Sequence, residues 1–236
     1  MIYVMSDLHG CFLEYKKMLE KICLSGQDTL YVLGDIMDRG PDGIDIIFDM
    51  MRHTNIIPLI GNHDEMAKIN LPKYMNCEDM LSVEEDEDIF IWFLNGGQRT
   101  VDAFMRLSIR ERHYVLEYLN TFKTHAEINV DGMDYLLVHS APDKPGKKFD
   151  DWELDDIIWG SPDYTVPYFD DRTLVTGHTP TELINIQYKG RIYKKHRHIA
   201  IDCGAVFVEG RLGCICLNNM EEYYITKDKS INNGLH

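Results

Sequence analysis

The chain has 236 residues, of which 44% are hydrophobic and 27% are charged, a composition typical of a globular protein that excludes a disordered or fibrous one. Its 24 basic and 39 acidic residues give a formal net charge of −15, which disfavours binding to long nucleic acids through their phosphates. One domain of this length can bury a sizeable core, so we expect a single domain over residues 1–236.

The cysteines and the chain start bear on the cellular compartment. No cysteine lies in a Cys-x-x-Cys pair, which predicts reduced, buried thiols rather than disulfides. The cysteines are Cys11, Cys23, Cys77, Cys203, Cys214 and Cys216. The start lacks the basic segment of a signal peptide, and no apolar stretch approaches the ~20 residues of a membrane span. We therefore expect a cytoplasmic protein without a membrane partner, of unknown oligomeric state.

Short apolar runs alternate with amphipathic segments along the chain, which is typical of an α/β fold. Strands are predicted near residues 2–6, 29–34, 55–60, 134–139, 172–177, 198–208 and 211–217. Helices are predicted at 12–24, 42–53, about 98–107 and about 109–122. The first three strands have β-α-β spacing, and Glu209-Gly210 predicts an antiparallel hairpin between the last two.

The least regular stretch runs from Leu71 to Asp88 and ends in five consecutive acidic residues at 84–88. Negative side chains ahead of a helix interact favourably with its positive end, so we interpret these acids as caps of the next helix. A docking site for basic peptides is the alternative interpretation.

Five of the predicted strands end in polar residues of metal-ligand type. These residues are Asp7 and His9, then Asp35 and Asp38, then Asn62, His63 and Asp64, then His139, and last His178. Because the carboxyl ends of strands form the ligand crevice of α/β sheets, these side chains can converge. Oxygen and imidazole donors without a thiolate suit Mn²⁺, Fe or Zn²⁺. Asp35 could bridge two cations about 3.5–4 Å apart, the spacing of hydrolytic two-metal sites.

Each of these motifs also has an ordinary structural interpretation. Asp7 could cap a helix, Gly61-Asn62-His63-Asp64 could form a turn, and His139 could be a hydrogen-bonded core histidine. The segment Gly34-Asp35-x-x-Asp38-Arg39-Gly40 is harder to explain this way, because unpaired charges in a confined space are costly. The coincidence of these motifs at five strand ends favours one shared site.

The ordered motifs resemble those of calcineurin-like metallophosphoesterases, and within them the phosphoprotein phosphatase branch. The resemblance covers about residues 2–180. The segments Asn95-Gly96-Gly97-x-x-Thr100 and Ile158-Trp159 are also similar to compact bacterial serine/threonine protein phosphatases. The resemblance implies an α/β fold in which two mixed β-sheets pack as a sandwich flanked by helices, with metals at the sheet edges.

The resemblance also implies residue roles in a dinuclear centre. The first cation would be held by Asp7, His9 and Asp35, and the second by Asp35, Asn62, His139 and His178. His63 would be the general acid, Asp38 would orient its imidazole and raise its pKa, and Arg39 would bind the substrate phosphate. A hydroxide bridging the two cations would attack phosphorus in line. Manganese is the expected metal, with iron or zinc as alternatives.

Four positions depart from the family pattern, one of them Asp64, which stands where the eukaryotic enzymes commonly have Glu. Ser6 stands where many members have Gly, a small change near the metal, and Pro180 stands where nuclease and phosphodiesterase branches have a further histidine. Close bacterial phosphatases have a phosphate-binding arginine where this chain has Ser161. Arg99 or Arg172 could supply the missing cation, or the phosphate is held less firmly.

The sequence therefore predicts a hydrolase of phosphoester bonds, with phosphoserine or phosphothreonine in proteins as the first choice of substrate. Small phosphoesters are also possible substrates. Hydrolysis of dinucleoside polyphosphates such as diadenosine tetraphosphate is the alternative, although those enzymes often lack the acid found here at Asp38. A non-catalytic binding module is a third hypothesis, against which the complete ligand set argues.

Overall fold

The computed structural model describes residues 1–76 and 86–227. The strands are β1 (Ile2–Met5), β2 (Thr29–Val32), β3 (Ile56–Pro58), β4 (His125–Val130), β5 (Met133–Val138), β6 (Arg172–Thr176), β7 (Tyr193–Lys195), β8 (His198–Ala200), β9 (Arg211–Cys216) and β10 (Glu222–Thr226). The α-helices are α1 (Phe12–Lys21), α2 (Gly43–Met50), α3 (Asn62–Asn70), α4 (Glu87–Leu94), α5 (Gln98–Met105), α6 (Ile109–Leu119), α7 (Leu154–Ile158) and α8 (Thr181–Ile184).

The strands described form two mixed sheets. The first sheet has the order β10-β9-β1-β2-β3, with β1, β2 and β3 parallel and β9 antiparallel to both β1 and β10. The second has the order β4-β5-β6-β8-β7, with β5, β6 and β8 parallel between antiparallel edges. The predicted mixed architecture and the β-α-β start are confirmed.

The side chains of β1 show how the layers are built. Tyr3 and Met5 face a core shared with the helices, whereas Val4 between them faces a core between the sheets, because successive strand residues point to opposite faces. Leu137 of β5 reaches the same inter-sheet core, and its neighbour Leu136 packs outward against the region of α7. The predicted sandwich flanked by helices is therefore confirmed.

The predicted hairpin at Glu209-Gly210 is wrong. The predicted strand 198–208 stops at Ala200, and β8 and β9 belong to different sheets. Gly204 has a φ of +74°, which takes the chain out of extended geometry, and its carbonyl accepts the N–H of Phe207 at 2.9 Å. Residues 204–210 thus form a loop that carries the chain from one sheet to the other.

Several elements were absent from the sequence prediction. The strands β4, β7 and β10 and the helices α3, α4, α7 and α8 were not predicted. Most are short, and β10 is an edge strand without a fully buried residue, so each carries too few apolar positions to show a period.

Asp86 caps α4 through its side chain, which accepts the N–H groups of Asp88 and Ile89. The capping interpretation is confirmed for this residue, while Glu84 and Glu85 lie outside the described residues. Cys77 also lies outside them. Cys23 is exposed, contrary to the expectation of buried thiols, and the remaining cysteines are buried. Within the described ranges, no helix combines the length and apolar character that crossing a membrane requires.

Candidate metal centre

The turns after β1 and β2 lie side by side and present the first site residues. The N–H of Asp7 donates to Gly34 O at 3.0 Å, and the N–H of His9 donates to Asp35 O at 2.8 Å. Asp7, His9 and Asp35 have φ values between 41° and 53°, a left-handed conformation that is costly for residues with a side chain. The paired turns hold this strained backbone and bring Asp35 and His9 together, with Asp7 beside them.

Asp35 lies between two groups of donor atoms. Its Oδ2 is 3.5 Å from His9 Nε2 and 3.9 Å from His63 Nε2, and its Oδ1 is 3.5 Å from His139 Nε2. The ligand atoms of His9, Asp35 and His63 lie within 4.8 Å of one another, as do those of Asp35, His139 and His178. Each carboxylate oxygen therefore faces one group, which suits a ligand shared by two cations.

Asn62 completes the second of these groups. Its Oδ1 is 3.0 Å from His139 Nε2 and 3.1 Å from His178 Nδ1, and the two nitrogens are 3.1 Å apart. Asn62 begins α3, whereas His139 and His178 follow β5 and β6 of the other sheet. We call His9, Asp35 and His63 the first donor group, and Asp35, Asn62, His139 and His178 the second donor group.

Backbone carbonyls fix the tautomers of two of the histidines. His139 Nδ1 lies 2.6 Å from Leu33 O, and His9 Nδ1 lies 3.0 Å from Met37 O. Because a carbonyl oxygen only accepts, each Nδ1 carries a proton, and each Nε2 is the ring nitrogen that faces the site. A metal-ligating imidazole commonly donates its other ring N–H to a backbone carbonyl, which is the arrangement seen for both rings.

Several acids are crowded together at the buried centre, which disfavours their ionised forms in the absence of a cation. Burial raises the pKa of Asp35 well above its usual value, and the neighbouring Asp7 and Asp64 raise it further. The pKa of Asp7 is also raised by burial, while His139 opposes that shift. A divalent cation among these carboxylates would remove the repulsion. The donor chemistry and charge therefore fit two cations.

Asp7 is placed differently from the other expected ligands. Its carboxylate accepts the N–H of His178 at 3.0 Å and the hydroxyl of Ser6, so it is turned toward these two partners. The structure brings His63 rather than Asp7 within 4.8 Å of the donor atoms of His9 and Asp35. Asp7 still lies beside the centre, since it is among the charges that raise the pKa of Asp35.

His63 of the first donor group is hydrogen-bonded to the buried Asp38 on one side and to the exposed Arg39 on the other. His63 Nδ1 is 2.8 Å from Asp38 Oδ2, and its Nε2 is 2.9 Å from Arg39 Nη2. Arg39 Nη1 also lies 2.9 Å from His9 Nε2. The structure thus places the expected acid, its carboxylate partner and the expected phosphate ligand in direct contact.

The expected upward shift of the His63 pKa is not found. Burial lowers the pKa of His63 to about 2, and the Arg39 cation beside it adds to the shift. Burial also raises the pKa of Asp38 to about 7, because the carboxylate is fully enclosed. Asp38 contacts the imidazole, but burial dominates the pKa of His63 and moves it in the opposite direction to the one expected.

Two residues with a role in this site were missed or undervalued in the sequence. Trp92 Nε1 donates to Asp38 Oδ2 at 2.7 Å, yet a single tryptophan within an apolar run gives no sequence signal. Asp64 accepts the N–H of Asp35 at 2.8 Å and that of Ile36 at 3.1 Å, so it ties the turn after β2 to α3. Its place three residues after Gly61 is a capping pattern that could have revealed it.

Arg172 does not substitute for the phosphate-binding arginine that is missing at position 161. Ser161 is exposed and donates its N–H to Asp143 Oδ1 at 2.9 Å. Arg172 begins β6, at the opposite end from the turn that carries His178, and pairs with Glu127. The expectation that Arg172 could reach the site is therefore wrong. Arg99 is exposed in the first turn of α5, next to Thr100, and stays the candidate.

Comparisons with known proteins agree with this geometry. The sequence profile of the family described as calcineurin-like phosphoesterase matches residues 1–195. Serine/threonine-protein phosphatase 2 of Salmonella typhimurium is 26% identical over 165 residues, which are 67% of this chain and 66% of that protein. The symmetrical bis(5'-nucleosyl)-tetraphosphatase of Buchnera aphidicola is 29% identical over 118 residues, 38% of this chain and 42% of that protein.

The matched segments thus span less than two thirds of these curated relatives. Among solved structures, a protein serine/threonine phosphatase from Saccharomyces cerevisiae has a TM-score of 0.63 at 14% identity. That match covers 97% of this chain and 80% of the yeast chain. At this identity the likeness concerns the fold.

Proposed function

Because the chain belongs to the calcineurin-like phosphoesterase family, we propose that it is a metal-dependent phosphomonoesterase acting on phosphoserine or phosphothreonine in proteins. The observation that carries this proposal is the hydrogen-bonded chain from buried Asp38 through buried His63 to exposed Arg39, next to the carboxylate of Asp35. This arrangement joins three groups: His63, which can protonate a leaving oxygen, Arg39, a cation for phosphate, and Asp35, a metal-binding carboxylate.

The two donor groups around Asp35 would hold the cations. The first would be bound by His9 and Asp35 with Asp7 beside them, and the second by Asp35, Asn62, His139 and His178. Two bound cations supply the charge that polarises a phosphoryl group and lower the pKa of the attacking water. Oxygen and imidazole ligands accept Mn²⁺, Fe or Zn²⁺, and we propose manganese first.

The side chains of this chain would bind the phosphate and deliver a proton. Arg39 would bind two phosphate oxygens through its planar guanidinium, in place of its present contacts with His9 and His63. The negative charge of the phosphate would offset the guanidinium and favour the protonated form of His63. His63 would then donate its Nε2 proton to the leaving oxygen as the P–O bond breaks.

The relatives suggest two substrate classes. Similarity to a serine/threonine-protein phosphatase extends over 67% of the chain, and similarity to a symmetrical bis(5'-nucleosyl)-tetraphosphatase over 38%. The intact His63–Asp38 pair supports the phosphomonoester substrate, because an alkoxide leaving group needs a proton more than a nucleotide phosphate does. Hydrolysis of dinucleoside polyphosphates is the second candidate, supported by the shorter match.

The test is to compare release of phosphate from a phosphoserine peptide with cleavage of diadenosine tetraphosphate, both with Mn²⁺. We expect the peptide to be the better substrate, and the reverse ranking would favour the second candidate. His63→Asn should lower kcat for the peptide by about 10²–10⁴-fold. His113→Asn is the matched control, because His113 is exposed on α6. Absence of hydrolysis of either substrate by the metal-loaded protein would refute an enzymatic function.

A further inference from the structure

The helices α4 and α5 pack against the turn that carries Asp38 and Arg39. Asp38 is fully buried and accepts hydrogen bonds at both oxygens from this pair of helices. Trp92 Nε1 donates to Oδ2 at 2.7 Å, and Thr100 Oγ1 donates to Oδ1 at 2.5 Å. Together with the contact between Oδ2 and His63 Nδ1, three side chains fix the plane of this carboxylate.

The donor and acceptor roles in this network follow from the chemistry of its members. The indole N–H of Trp92 can only donate. Thr100 Oγ1 accepts the N–H of Asp38 at 3.0 Å, which leaves its hydrogen for the carboxylate. The Arg39 guanidinium also only donates, so His63 Nε2 accepts from it and Nδ1 carries the proton that points at Asp38. The direction of the His63 ring is therefore set by the carboxylate plane.

The backbone of the same turn is held by the connection between α4 and α5. Asp38 and Arg39 have φ values of 66° and 62°, a conformation that side chains rarely adopt. The N–H of Arg39 donates to Gly96 O at 3.1 Å. A Cβ on Gly96 would lie 3.0 Å from Arg39 Cγ, and one on Gly97 would lie 2.5 Å from the Trp92 ring. Only residues without a side chain allow this close approach.

We propose that Trp92 and Thr100 are positioning residues that fix Asp38 and, through it, aim the Nε2 of His63 at the leaving oxygen. This inference rests on the proposed role of His63 as general acid. Both residues act through Asp38 and touch neither substrate nor cation. Without their hydrogen bonds the carboxylate can rotate, the ring of His63 loses its fixed direction, and proton delivery becomes less efficient.

The test compares two substrates that differ in how much they need a proton. A phosphoserine peptide leaves an alkoxide that must be protonated, whereas p-nitrophenyl phosphate leaves a stabilised phenolate. Thr100→Val and Trp92→Phe should each lower kcat for the peptide by about tenfold or more, with KM nearly unchanged. This loss is smaller than the loss of about 10²–10⁴-fold expected when the general acid itself is removed. The loss for p-nitrophenyl phosphate should be clearly smaller, and Thr100→Ser should restore most of the activity.

A matched control exists for the tryptophan. Trp152 is also buried in the core, but its Nε1 has no hydrogen-bond partner among the described residues. Trp152→Phe therefore removes an indole of the same size without removing a bond, and should not show the dependence on leaving group. Equal losses for both substrates, equal losses in Trp152→Phe, or failure of Thr100→Ser to restore activity would overturn the proposal.

A spectroscopic measurement keeps the inference separate from the proposed function. With diamagnetic Zn²⁺ bound, ring ¹⁵N–¹H spectra should show His63 protonated on Nδ1 in the wild type, the signal being assigned by its absence in His63→Asn. Thr100→Val and Trp92→Phe should shift or exchange-broaden this signal, whereas Trp152→Phe should not. If the wild type hydrolyses neither substrate, the proposed function fails, and an unchanged signal in both variants would refute the positioning role as well.

Discussion

The two donor groups around Asp35 are assembled in different ways. The first donor group comes from the turns after β1 and β2 and from the start of α3, which follows β3; the three strands are neighbours in the first sheet. The second donor group combines Asp35 and Asn62 from that sheet with His139 and His178 from the other. The first therefore depends on local turn geometry, and the second depends on how the two sheets pack.

Residues with left-handed backbone occur in both groups. Asp7, His9 and Asp35 have positive φ values in the paired turns of the first sheet, and His178 has a φ of 64° in the turn after β6, whereas His139 is not left-handed. Backbone hydrogen bonds between the paired turns hold the strained residues of the first sheet. Because the two groups depend on different parts of the fold, mutations should separate the two halves of the centre.

The largest effect is expected for Asp35→Asn, because Asp35 faces both groups and carries the shared charge. The number of bound cations should fall from two to fewer than one per chain, measured by isothermal titration with Mn²⁺. Activity should fall by more than the roughly 10–100-fold typical of losing an outer-shell partner of a metal site. Asp45→Asn, at an exposed position of α2, is the control. Retention of both cations would contradict a bridging role.

His178→Asn should be less severe, because it changes only the second donor group. We expect one of two Mn²⁺ ions to be lost in the same titration, with the other still bound near His9 and Asp35. Activity should be lost because both cations polarise the phosphoryl group. Loss of both ions would show that the two halves of the centre are not separable.

Packing between the sheets should matter more for the second cation than for the first. Leu137→Ala removes a fully buried side chain from the inter-sheet core, and Leu30→Ala does the same in the core beneath the helices. Each should lower the free energy of unfolding by roughly 2–5 kcal/mol, measured with urea. Only Leu137→Ala should also weaken binding of the second cation, and equal weakening in both variants would refute the comparison.

The smallest effect is expected for Ser161→Arg, which restores a cation on the side of the second donor group. Trp159, two residues earlier, has its ring centroid 6.3 Å from that of His178, so an arginine at 161 can approach the phosphate. An exposed charge pair contributes roughly 0.2–1 kcal/mol, so inhibition by inorganic phosphate should tighten only a few-fold. Unchanged inhibition would mean that position 161 does not face the substrate, and Arg99→Ala would then test the other candidate.

The strand ends made most of the site predictable from sequence. Asp35 and Asn62 follow parallel strands of the first sheet, and His139 and His178 follow parallel strands of the second. The carboxyl ends of such strands are where ligand residues gather, a regularity that can be used without knowing the fold. Trp92 could not be predicted, since its contact with Asp38 spans 54 positions and depends on how α4 packs. Tertiary contacts of this kind leave no period in the sequence.

The fold was predictable to a similar degree. The strands and helices of the first 60 residues were found because their apolar residues recur at clear periods and lie in long segments. The Glu209-Gly210 hairpin failed because a turn signal does not state which strands it joins, and β8 had already ended at Ala200. The effect of Asp38 on the pKa of His63 was overestimated, because burial dominates that pKa and the degree of burial depends on tertiary packing.

The placement of the tryptophans has a practical consequence. The indole of Trp92 bonds to Asp38, and that of Trp159 lies edge-on to His178, so two indoles sit at opposite flanks of the centre. Trp152 is instead buried in the core on the outer face of the second sheet. Intrinsic fluorescence should therefore respond to occupation of the pocket, with Trp159→Phe and Trp92→Phe reporting separately on its two sides.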